Sequence, residues 1–356
     1  MRRPSWSLFA LCLTQGVLVC VSAILLHTAA AQQRRALGDP VALRSLVPPS
    51  DPLAAHDLSF DARFARDALD YLQTKDSALI DRMAGSAAVA HILNHARNFD
   101  NEEVPKDSAL PLVNALLGTP EKQGERTAIC QQSLAYFSEP MLADPHWVMD
   151  TLRYLPPDFR FHGTLFITFG YDIGVALGPN ASLNCTNARF NHHSRELLYY
   201  AIHELHHTGF MSYRAPPNFA EIKTCADLLR AVEYLTQFEG MAVLAAYQRR
   251  GDDRALNDDP DYVALQDGKR MQADLVSYFK EYEYLKNRGN QVADHDAWAV
   301  IHRLSSGERL WYRVGAFMAR SIEASKGRAA LAELVKQGPA QFFAIYESLT
   351  AVEKSH

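Results

Sequence analysis

The sequence predicts an α+β protein in which helices predominate. Three observations carry that expectation. Apolar residues recur at helical spacing through much of residues 59–158; one stretch, 159–177, clusters and alternates aromatic and β-branched residues; and helical spacing returns after residue 190 and continues to the C terminus. Helices, then a short sheet, then helices again is the order of an α+β fold whose cleft lies between two lobes.

The chain begins with Arg2 and Arg3, an apolar run from Leu8 to Leu26, and Ala29-Ala-Ala31. Residues 1–31 are therefore expected to be an export signal cleaved before Gln32, or an uncleaved N-terminal membrane anchor, since the run is long enough to span a bilayer. Either way the remainder is expected to be secreted or periplasmic. Residues 32–58, rich in Pro and Ala, read as a linker. Residues 59–158 form a helical region, with Phe60, Phe64, Ala68, Leu69 and Leu72 on one stripe and Ala87, Ala90, Ile92 and Leu93 on another. Within it, the polar run 94–103 reads as a solvated loop, with an approach to the active site as the alternative.

Pro156-Pro157 closes that region, and residues 159–250 form the expected core. A strand over 159–177, a Gly178-Pro-Asn180 turn and a second strand over 181–190 make a hairpin whose edge is open to an extended peptide. A helix then starts near Asn191 or Ser194, either able to cap it, and buries Leu198, Ile202, Leu205 and Gly209. A second long helix is predicted over 225–249, and residues 251–356 form a helical C-terminal lobe.

A net charge of −5 and a pI near 6.3 offer no basic surface for a polyanion, so no nucleic-acid partner is expected. Oligomeric state has no signature in the chain. Beyond the leader the cysteines are Cys130, Cys185 and Cys225. One disulfide, pairing Cys185 with Cys225 across the helix between them, stands against three buried free thiols. Asn180-Ala-Ser182 and Asn184-Cys-Thr186 are glycosylation sequons.

The chemistry concentrates in His203-Glu204-Leu-His-His207. On a helix, residues i and i+4 lie about 40° apart, so His203 and His207 can reach one metal ion. Glu204 falls on the adjoining stripe, where a carboxylate can take a proton from a water on the metal without being a ligand. A hydrolytic zinc needs a third protein ligand and one open position. Gly at 210 and His at 213 would continue a metzincin pattern, but Phe210 and Tyr213 stand there. The downstream carboxylates Glu221, Glu233 and Glu239 remain as candidates. His206 has no evident place in such a site.

The segment Gln237-Phe-Glu239-Gly240-Met-Ala242, with Tyr247 beyond it, resembles the glutamate-bearing segment of gluzincin metallopeptidases of the M1 aminopeptidase type. Tyr312-Arg-Val-Gly315, Phe317-Met-Ala319 and Gly338-Pro339-Ala-Gln-Phe-Phe343 are similar to a later tyrosine helix of that group. The resemblance spans roughly residues 160–345. It implies a zincin-like core, one zinc ion held by His203, His207 and Glu239, Glu204 as general base, and Tyr312 as donor to the oxyanion. It implies a peptide or protein substrate. Two departures stand out: 31 residues separate His207 from Glu239, and no Gly-x-Met-Glu-Asn segment precedes the motif helix. The expectation is accordingly a metallopeptidase on a less characterised gluzincin branch, with endo- or aminopeptidase action open. The alternative is a secreted metal-binding protein without turnover, which would have no use for Glu204.

Overall fold

Strands far apart in the chain assemble one sheet. A computed structural model describes residues 39–99, 101 and 103–353; the leader at 1–31 lies outside them. Strands β1 (Val41–Ala42), β2 (Asp57–Asp61), β3 (His162–Thr168), β4 (Gly174–Leu177) and β5 (Asn180–Asn184) lie in the order β1-β2-β3-β5-β4. β2, β3 and β5 run parallel, while β1 and β4 are antiparallel edges. Parallel neighbours need a long crossover. Between β2 and β3 it is made by α1 (Arg63–Thr74), α2 (Ser77–Ala84), α3 (Ala87–Asn98), α4 (Ala109–Leu117), α5 (Pro120–Tyr136) and α6 (Val148–Leu152).

Two sequence expectations are corrected here. The linker ends well before residue 58: Leu43 and Leu53 are fully buried, and β2 pairs with β3 through Phe60 beside Leu165. The prolines that suggested a linker serve turns instead, as where Asp51 caps the short 3-10 turn Pro52–Ala55 by accepting from Leu53 N at 2.8 Å. The second correction concerns the hairpin. The expected first strand divides into β3 and β4, and the antiparallel hairpin is β4 with β5 around the Gly178 turn. The sheet thus crosses the boundary expected at residue 158.

The second half is helical, as predicted: α7 (Glu196–Met211), α8 (Cys225–Asp252), α9 (Pro260–Gln266), α10 (Gly268–Arg288), α11 (His295–Ser305), α12 (Leu310–Lys326), α13 (Arg328–Gln337) and α14 (Pro339–Glu353). With the small sheet this makes a mainly helical α+β protein. Among the described residues no helix is long and apolar enough to cross a membrane. α7 begins at Glu196 without a side-chain cap from Asn191 or Ser194. What fixes its start is a buried ion pair, in which both oxygens of Glu196 accept from Arg250 of α8 at 2.7 and 2.6 Å. The Arg250 guanidinium lies 4.3 Å from the ring centroids of both Tyr199 and Tyr262. α8 starts with a capping box between Thr224 and Asp227.

Of the two readings of the cysteines, the structure has the three free thiols and not the Cys185–Cys225 disulfide. Cys185 Sγ lies 2.6 Å from Cys130 Sγ of α5, and Cys225 Sγ lies 3.8 Å from the Val292 carbonyl. β5 delivers Cys185 toward α5 and away from the start of α8; all three are buried free thiols. Asn184, of the second sequon, is buried as well. Its buried amide accepts from Gly170 N at 2.8 Å and donates to Tyr171 O at 3.0 Å.

α8 packs against α7 on one side and α12 on the other, and the second contact is the tighter. A Cβ on Gly240 would collide with the backbone of Gly315 and Ala316, and one on Gly315 with the Thr236 carbonyl. Only glycine at both positions permits this crossing. Gly315→Ala is expected to lower stability by about 1–3 kcal/mol, as overpacking does. Gly124→Ala, on an open part of α5, is expected to raise it by roughly 0.5–1 kcal/mol. Urea denaturation of the two variants checks both signs.

Candidate metal centre

α7 projects His203 and His207 toward Glu239 of α8. Their Nε2 atoms are 2.9 Å apart, and Glu239 Oε2 lies 3.2 Å from the first and 3.1 Å from the second. Three donor atoms thus face one point. Tetrahedral zinc with ligands at about 2.0–2.1 Å would set them about 3.3 Å apart, so the donors fit that ion with small adjustments. Two imidazoles, one carboxylate and an open side make the donor set of a hydrolytic site. The His207 ring is stacked on Phe238, with centroids 3.8 Å apart at 16°. Since His207 Nδ1 is buried without a hydrogen-bond partner, this stacking sets the ring's orientation where other sites use a bond from the far nitrogen.

The electrostatics favour ligation. Burial, reinforced by His207, pushes His203 down to about 4, leaving it a neutral imidazole. Burial pushes Glu239 the other way, but the two histidines outweigh it and hold the carboxyl well below its ordinary range. Glu204 is buried beside them, and donor atoms of His203, Glu204 and His207 lie within 4.8 Å of one another. Burial, then the charges of Glu239 and Asp172, raise its carboxyl well above the ordinary value, against the opposing pull of Arg309. Such a carboxyl is poised to accept and hold a proton.

Tyr312 at the start of α12 lines the same cleft. It is reached by way of Arg309, whose guanidinium lies 3.8 Å over the Tyr312 ring and whose Nε is 3.0 Å from Asp261 Oδ2. The other candidates are elsewhere. Glu233 accepts from Tyr282 OH at 2.7 Å, and Glu221 is an exposed turn residue bonded to Asn218. His206 is fully buried on another face, packed against Phe210, and is pushed down to about 3 by burial and the neighbouring histidines.

Two cleft residues were not anticipated, and a third entered only as the less favoured alternative. His95, in the polar run that could approach the site, belongs to α3 and not to a solvated loop, and its Nδ1 lies 3.0 Å from Tyr171 OH. Arg309 stands three residues before Tyr312, one helical turn away. Asp172, in the turn before β4, had no signal at all.

One zinc per chain is expected by elemental analysis of the metal-loaded protein. Glu239→Ala should lose it and Glu233→Ala keep it; the reverse result would overturn the ligand assignment. Zinc at a thousandfold excess over its dissociation constant should stabilise the wild type by about 4 kcal/mol. Glu204 gives a pH signature in the metal-free protein. Because its folded pKa is raised, its charge costs no stability below the ordinary glutamate range and an increasing amount as pH rises through that range. Metal-free Glu204→Gln should therefore be more stable than wild type at neutral pH, with the gap closing below about pH 4. A pH-independent gap would contradict it.

No curated protein and no solved structure matches the chain. One family model does, and its description reads "Putative zinc dependent peptidase (DUF5700)". The match covers residues 146–355, more than half of the chain, and encloses the histidine pair, Glu239 and Tyr312. The chain belongs to this family.

Proposed function

We propose that the protein is an exported zinc-dependent metallopeptidase of gluzincin type, with His203, His207 and Glu239 holding one zinc ion. The observation that carries this reading is the convergence of two Nε2 atoms and one Oε2 atom within 2.9–3.2 Å, with Glu204 alongside. A bound zinc ion supplies Lewis acidity that makes a water nucleophilic near neutral pH and polarises a carbonyl.

The chain's own residues would do the rest. β4 is an edge strand beside the cleft, so an extended peptide can add to it through main-chain hydrogen bonds. Gly174 at its start makes room for the base: a Cβ there would lie 2.6 Å from Glu204 Oε1. Glu204 takes a proton from the attacking water and delivers it to the departing amine, which its raised affinity for protons suits. Tyr312, whose phenol is kept protonated by burial and by the negative charge of Glu239, donates to the carbonyl oxygen as charge develops there. Export rests on residues 1–31 of the sequence.

Glu204→Gln should keep its zinc and lose cleavage of a mixed peptide library by about a hundred- to ten-thousandfold. Tyr312→Phe should keep zinc and lower kcat by about a hundred- to a thousandfold. Undiminished cleavage by Glu204→Gln, or a wild type that binds no zinc, would sink the proposal. A zinc-loaded wild type that cleaves nothing would favour a metal-binding protein without turnover.

A further inference from the structure

The charges lining the cleft nearly all have partners. Glu239 faces the two histidines. Asp259 receives Arg189 at 2.7 Å, and Asp261 receives Arg313 at 2.8 Å and Arg309 at 3.0 Å. Arg250 is held by Glu196. Two carboxylates are the exceptions, Glu204, the base of the reading above, and Asp172, with which no cation among the described residues forms an ion pair. Asp172 Oδ1 accepts from Ile173 N at 2.7 Å, and among the described residues its Oδ2 accepts no hydrogen bond. Arg309 acts on it electrostatically, while its ion pair is with Asp261. Glu103 and Glu239 add further negative charge.

The backbone around Asp172 is built with unusual care. Gly170 and Tyr171 both have positive φ, 89° and 78°. A tyrosine there costs roughly 1–3 kcal/mol and persists only where its surroundings impose it. Here Asn184 clamps the turn through Gly170 N and Tyr171 O, and Asn184 N donates to Ile173 O at 3.0 Å on the far side of Asp172. The Tyr171 hydroxyl is held by His95 at 3.0 Å and Asn101 at 3.4 Å. Two residues further on, Gly174 abuts Glu204. Two residues of extended chain span about 7 Å, so a peptide lying on β4 passes Asp172 within one or two residues of the bond presented to Glu204.

We propose that Asp172 is a specificity residue that receives a cationic group, ammonium or guanidinium, carried by the substrate next to the scissile bond. The inference rests on the peptidase reading above. A fixed carboxylate at the cleft without an ion-pair partner favours a cation through a charge-assisted hydrogen bond and disfavours an acidic residue by repulsion.

The test compares quenched peptides that differ only in Lys, Gln or Glu at the residues flanking the cut, each with a free or an acetylated N terminus. Wild-type kcat/KM should favour the cationic member over its neutral counterpart on the order of tenfold. Asp172→Asn should bring that ratio to about one, Asp172→Glu should restore part of it, and Asp172→Arg should invert it toward the Glu peptide. A preference for Lys whatever the terminus assigns the cation to a side chain; a preference for the free terminus alone assigns it to the α-amine. A wild type indifferent to both, or a preference that survives in Asp172→Asn, overturns the proposal while neutral peptides that are still cut leave the peptidase reading standing. Calorimetric binding of the same peptides to zinc-loaded Glu204→Gln reads the subsite without turnover. Selective binding of the cationic peptide there, lost on adding Asp172→Asn, upholds it even if no peptide is cleaved; equal binding rejects it.

Discussion

The crossing of α8 and α12 at Gly240 and Gly315 is the constraint on which the site depends. Glu239 immediately precedes the first glycine, and Tyr312 lies one helical turn before the second. With backbone against backbone there, both side chains are brought to the face of α7 that carries His203 and His207. A side chain at either position would move the two helices apart, and the Glu239 carboxylate and the Tyr312 phenol would move with them. Overpacked helices shift as rigid units because interiors are close-packed. One contact therefore fixes two functional groups from distant parts of the chain. The Glu196–Arg250 pair, seated between Tyr199 and Tyr262, fixes the other interface, between α7 and α8.

A site assembled this way works against stability. Glu204, Glu239 and Asp172 lie close enough to repel one another, and burial deprives Glu204 of hydration. Partial relief comes from the histidines on Glu239 and from Arg309. A divalent cation on the two histidines and Glu239 would remove most of the rest, coupling metal binding to folding. The positive φ of Tyr171 belongs to the same pattern of strain tolerated next to a functional group.

What could be read from sequence was what is local. The motif helix, the long helix from Cys225 and the helical lobe follow from 3.6-residue periodicity, which secondary structure alone determines. Glu239 was reachable through the resemblance carried by Gln237–Ala242, and the structure brings it to the histidines. β2 was missed because Phe60 and Phe64 are four apart and fit a helical stripe, although Phe60 is in a strand and Phe64 in α1. The choice between a Cys185–Cys225 disulfide and free thiols was open because chain proximity to a helix says nothing about the direction in which a parallel strand delivers its end. Asp172, Arg309 and His95 left almost no local trace: their placement depends on strand order, on an Asn184 clamp and on a helix more than 100 residues before the motif.

That last dependence bears on how much of the chain makes the site. The family match begins at residue 146, after β2 and after His95. Without β2, β3 would be an edge strand presenting unpaired N–H and C=O groups along the centre of the present sheet. Without α3, Tyr171 would lose the His95 contact that holds its hydroxyl, and the strained turn carrying Asp172 would keep only the Asn184 clamp and the contact from Asn101. In this chain β2 and α3 therefore support the cleft, which His95 and Phe99 help to line. Both elements lie outside the matched segment, yet they complete the sheet and steady the carboxylate beside Glu204.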